Sequence, residues 1–73
     1  MKPHTIQLPA GTRPVAVAIL VELLGPPRSK TARGQVCQWG SVQLRGLELF
    51  WIETPLNNEA VDAVRAACKL VAT

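Results

Sequence analysis

Polar and apolar residues alternate over Thr5, Ile6, Gln7 and Leu8 before Pro9 and Gly11 interrupt, which is the period-two pattern of a short strand at residues 5–8. The signals then change. Thr12 offers a cap, Pro14 is tolerated in a first helical turn, and Gly25 with Pro26 and Pro27 forms a stop, so Arg13–Leu24 reads as a helix. Nearly every position in it is apolar, which predicts a central helix, although Val15, Val17, Ile19 and Val21 would also suit a buried strand. Residues 35–39 could be a strand or the end of a short helix capped by Ser29; Gly34 counts against the helix, and the strand is favoured.

Residues 41–54 read as a hairpin with Arg45 and Gly46 at its turn. Both faces of the second strand are apolar, with Leu47, Leu49 and Trp51 on one side and Phe50 and Ile52 on the other. One face has a core to join, and the other needs a second cover. The last segment is predicted as a helix capped by Asn57 or Asn58, with Glu59 and Asp62 in its first turn and Lys69 near its end. Val61, Val64, Cys68 and Val71 recur on its apolar face, opposite Asp62, Arg65 and Lys69. The expected fold is α+β, a small antiparallel sheet of about three strands packed with two helices, in a single domain over residues 1–73.

Composition supports a folded chain rather than a tail. With 73 residues, 48% apolar and 18% charged, there is enough apolar surface to drive collapse around one modest core. The apolar run from Val15 to Leu24 is too short to span a bilayer and contains Glu22, so no membrane association is expected. Cys37 and Cys68 belong to no CxxC pair, and with the lone His4 they fall short of a zinc ligand set, so no metal or cofactor is expected and reduced thiols of a cytoplasm are the default. Catalysis finds no constellation. His4, read as an exposed terminal histidine, has no nucleophile or orienting carboxylate near it in sequence, and Cys37 reads as a small buried hydrophobe.

Charge is uneven. Residues 1–34 carry Lys2, Arg13, Arg28, Lys30 and Arg33 against Glu22, a balance of +4, while residues 35–73 carry Arg45, Arg65 and Lys69 against Glu48, Glu53, Glu59 and Asp62, a balance of −1. Arg28, Lys30 and Arg33 stand together in the acid-free stretch GPPRSKTARG, which makes that loop the natural face toward an anionic partner. The other candidate contacts are aromatic. Trp39, Phe50 and Trp51 are the only aromatic side chains; one or two should form the core, Phe50 first among them, and one left outside beside Arg45 or Glu48 would anchor a partner protein. A binding protein rather than an enzyme follows.

Two readings of that binding differ in residues 29–39. A winged helix-turn-helix would use Arg13–Leu24 as first helix, a second helix from Ser29 through QVCQW and the hairpin at 41–54 as wing, giving a phage repressor or excision factor, but the double proline and Gly34 spoil the turn and the second helix. Taken whole, from MKPHTIQLPAGTRPVAVAILVELLG through RGQVCQWGSVQLRGLELFWIET to NNEAVDAVRAACKLVAT, the chain instead resembles the small transcription regulators of lytic Xanthomonas phages. The resemblance implies a monomeric protein of the host bacterial cytoplasm that binds RNA polymerase, inhibits initiation and suppresses termination at intrinsic terminators. On that reading Trp39, Arg45, Phe50 and Trp51 would take hold of a short polymerase segment, which could add beside an exposed strand edge. Arg28, Lys30 and Arg33 would face nucleic acid, with nascent RNA as the candidate.

Overall fold

The alternating segments build strands and the 3.6-residue patterns build helices in a computed structural model that describes residues 3–31 and 35–72. In chain order the elements are β1 (Pro3–Gln7), α1 (Arg13–Leu24), β2 (Ser29–Lys30), β3 (Val36–Trp39), β4 (Val42–Arg45), β5 (Glu48–Ile52) and α2 (Pro55–Ala72). The strands form one sheet in the order β1-β5-β4-β3-β2, with every neighbouring pair antiparallel. The α+β class with two helices is therefore as expected, but the sheet has five strands among the described residues rather than about three. The difference lies partly in β2, two exposed residues of the basic loop with no apolar alternation to announce them. Backbone bonding against the rim of β3 defines that strand.

Turn chemistry sets the register. Trp39 faces Val42 and Arg45 faces Glu48, so the two tight turns are Gly40 with Ser41 and Gly46 with Leu47. Both glycines have positive φ, 66° and 58°, at the first central position, where that conformation matches the twist of the flanking strands. The predicted turn at Arg45 and Gly46 is thus displaced by one residue. Leu47 is drawn into the turn, and Leu49 and Trp51 carry the buried face of β5.

The core lies on one side of the sheet. Cys37, Trp39, Val42, Leu44, Leu49 and Trp51 alternate inward from β3, β4 and β5, under Ala16 and Leu20 of α1 and Ala60, Val61, Val64 and Cys68 of α2. The predicted central position of α1 is corrected. Only Ala16 and Leu20 are fully covered, and Val21 and Leu23 are 38% and 40% exposed, because a two-layer fold has no third layer to cover a helix's outer face. Thr12 does not cap α1 with its side chain; its hydroxyl donates to the Pro9 carbonyl at 2.6 Å instead. Gly25 stops the helix as expected, its N–H reaching Val21 O at 2.9 Å.

At the other helix the cap is Thr54, not Asn57 or Asn58. Its Oγ1 accepts from the Asn57 N–H at 3.1 Å and its carbonyl from the Asn58 N–H at 2.8 Å, with Pro55 in the first turn where its missing donor costs nothing. Asn57 is free to turn inward. Buried, it donates from Nδ2 to Ser41 Oγ at 2.7 Å and to the Ile52 carbonyl at 2.8 Å, joining α2 to the β3–β4 turn and the end of β5. Val71, expected on the buried stripe, is 55% exposed. An 18-residue helix is about 27 Å long against about 17 Å for a five-residue strand, so the last turn passes beyond the sheet.

Among the described residues no helix is long and apolar enough to cross a membrane.

Candidate protein-interaction surface

Both helices cover the same side, so the opposite face of the sheet is open. Strand alternation puts Phe50 and Ile52 of β5 on it, and the registers extend a row across all five strands: Thr5 opposite Phe50, Phe50 opposite Gln43, Gln43 opposite Gln38, Gln38 opposite Ser29. The next row brings Gln7, Glu48, Arg45 and Val36 together. Between the rows Gln43, Arg45, Glu48 and Phe50 line a shallow hollow of about 250 Å³. The second apolar face foreseen for β5 is therefore real, and it has no cover among the described residues.

Of the four residues expected to grip a protein partner, the structure separates two from two. Trp39 and Trp51 are each 7% exposed and belong to the core. Trp39 Nε1 donates to the Gly25 carbonyl at 2.8 Å, and Trp51 Nε1 donates to Asn58 Oδ1 at 3.2 Å, so each indole is also committed through its polar atom. Arg45 is exposed and Phe50 half-buried on the open face. The expectation for the aromatic residues is reversed: the tryptophans are the core and Phe50 is the ring left outside. One-residue parity decides this, because once Leu49 and Trp51 point inward, Phe50 between them must point outward.

The basic residues sit elsewhere. Lys30 faces Cys37 in the β2–β3 pair while Ser29 faces Gln38, so Ser29 shares the open face and Lys30 shares the helix side. Arg28 borders a different hollow with Pro26, Trp39 and Leu56. Arg28 and Lys30 are thus exposed along the β2 rim, and Arg33 lies outside the described residues. Arg13 belongs to neither group: its guanidinium donates to the Gly46 carbonyl and braces the β4–β5 turn. Glu48 opposite Arg45 balances charge on the open face.

Reasoning from the sequence missed a role for His4. Its ring stacks on Trp51 with centroids 5.2 Å apart and planes 27° apart, and Nε2 lies 3.3 Å from Glu53 Oε2. The side chain thus shields the flank of a core indole rather than hanging from a terminus. The signal was the spacing of His4, Ile6 and Leu8, which extends the strand's inward alternation by one step. Cys37 and Cys68 are buried thiols outside any disulfide. A helix over residues 29–39, required by a winged helix-turn-helix, is replaced by β2 and β3 in the described residues.

Comparison of the chain with protein-family models, curated proteins and solved structures returns no match.

Proposed function

We propose that the protein is a phage-encoded regulator that binds host bacterial RNA polymerase, inhibiting initiation and suppressing termination at intrinsic terminators. The whole-chain resemblance supplies the partner. The observation that carries the binding mode is the half-exposed Phe50 on an uncovered sheet face, beside a charge-balanced Arg45 and Glu48. An exposed ring with an arginine and amide groups is the composition of a protein-contact centre. A phosphate-binding platform needs a net positive field, and this face has none.

Arg28 and Lys30 supply that field at the β2 rim, where nucleic acid such as nascent RNA passes when the open face is seated on polymerase. The two activities are thereby divided between two surfaces. Immobilised protein should capture RNA polymerase from bacterial lysate after nuclease treatment, and alanine at Arg28, Lys30 and Arg33 together should abolish antitermination while leaving capture intact. Capture of nucleic acid alone would defeat the polymerase reading, and unchanged antitermination would remove the basic loop from the mechanism.

A further inference from the structure

The two rims of the sheet are not equivalent. Sheet edges expose unpaired N–H and C=O groups, and proteins usually blunt them with short strands, lysine or proline. The β2 rim is blunted in this way, being two residues long and containing Lys30. β1 is five residues long, pairs among the described residues only with β5, and carries its one proline, Pro3, at its first position, so His4–Gln7 has neither lysine nor proline.

Which backbone groups of β1 remain open follows from the ladder. Leu8 N–H donates to the Leu47 carbonyl at 2.8 Å, one residue beyond the Gln7–Glu48 pair. Hydrogen-bonded pairs alternate along an antiparallel ladder, so Ile6 and His4 also turn their backbone groups toward β5. Thr5 and Gln7 turn theirs outward. The parity on the far side of β5 agrees, because Ile52 N–H donates to the Ser41 carbonyl and places the β4-facing groups on Glu48, Phe50 and Ile52.

Beside this edge runs a cleft of about 440 Å³ between β1 and α2. Ile6, Leu8, Pro9 and Cys68 give it an apolar lining, and Arg65 and Lys69 of α2 add two cations. A chain laid antiparallel or parallel to β1 would bond to Thr5 and Gln7 and send every second side chain to the α2 side, into this cleft.

We propose that the free edge of β1 and the β1–α2 cleft form a strand-addition groove for an extended acidic peptide, with alternate apolar residues entering the cleft and a flanking carboxylate meeting Arg65 and Lys69. Backbone bonds to Thr5 and Gln7 set the peptide's register, the apolar lining selects its alternate side chains, and the two cations select its charge. This places a peptide site on the rim opposite Arg28 and Lys30. Identification of the peptide as a segment of polymerase rests on the reading above; the groove itself does not.

The probe is an acetylated and amidated heptapeptide with Glu, Leu, Leu and Glu at its odd positions and Thr at its even positions, titrated into the ¹⁵N-labelled full chain. Amide shifts at Thr5, Ile6, Gln7, Leu8 and Arg65 are expected. Binding should weaken at least tenfold in Gln7→Pro, which removes an outward N–H without touching the ladder to β5, and at least tenfold in the paired Arg65→Glu and Lys69→Glu variant. The same peptide with Lys for Glu should not bind. Shifts confined to the open face, affinity unchanged in either variant, or a dimer in sedimentation that Gln7→Pro converts to monomer would each overturn the proposal, the last by giving the edge to a second copy. Polymerase capture measured with the same variants separates the two readings: capture by wild type that survives both variants defeats the groove as the polymerase site, whereas peptide binding without any polymerase capture defeats only the choice of partner.

Discussion

Trp39 Nε1 donates a 2.8 Å hydrogen bond to the carbonyl oxygen of Gly25, so the last residue of β3 holds the residue that ends α1. The ring fills the core and its one polar atom anchors the chain reversal before the basic rim. Trp39→Phe should retain the fold and lower stability by about 1–3 kcal/mol, combining a lost bond with unfilled volume. Urea denaturation should show a lower midpoint at unchanged m-value.

Asn57 joins three elements through one buried amide. Asn57→Ala strands the Ile52 carbonyl and the Ser41 hydroxyl and should cost about 2–3 kcal/mol. Thr54→Ala, which removes the α2 cap, should cost about 1 kcal/mol. Thermal unfolding of both variants checks the order; a larger loss from Thr54→Ala would show that the cap, not the inward amide, secures the helix start.

Gly40 and Gly46 adopt positive φ with no atom within 4 Å of where a Cβ would stand. The cost of Gly40→Ala or Gly46→Ala is therefore backbone strain alone, about 1–2 kcal/mol each. Asn at either position should recover part of it, because Asn tolerates the left-handed region. Denaturant titration of the Ala and Asn pairs measures this directly.

Leu49 and Phe50 are chain neighbours with opposite assignments. Leu49→Ala empties a fully buried position and should cost about 2–5 kcal/mol. Phe50→Ala on the open face should cost about 1 kcal/mol and reduce nuclease-resistant polymerase capture, as should Arg45→Ala. Full capture by folded Phe50→Ala would take the open face out of the proposed contact.

The helices and the hairpin were legible because their signals are local. Gly25 with Pro26 and Pro27 closes α1 at the expected residue, and the strand favoured for residues 35–39 appears as β3. The misreadings arise where a local rule had two solutions. Proline at position 55 reads as a breaker or as a first-turn residue, and only the inward role of Asn57 selects the second. The hairpin turn could fall on either side of Gly46, and a shift of one residue exchanges the faces of its strands. Alternation separates Leu49 and Trp51 from Phe50 and Ile52 without saying which face the helices cover, so the sequence leaves Phe50 open to the core and to a partner, and offers Trp39 and Trp51 to the same partner. The two-residue β2 carries no pattern of its own, and the row from Thr5 to Ser29 exists only through pairing of distant segments.

Pairing of Pro3–Gln7 with Glu48–Ile52 has a further consequence for assembly. The β3-β4-β5 meander closes through two-residue turns, whereas β1 must wait until Glu48–Ile52 has been made before its partner strand exists. The strand that leads this sheet in chain order is thus among the last secured. Until then another copy's β5 offers it an identical ladder, so when many chains are made together the favoured misassembly is reciprocal exchange of β1 between two molecules, a swapped dimer whose interface repeats the contacts of the monomer.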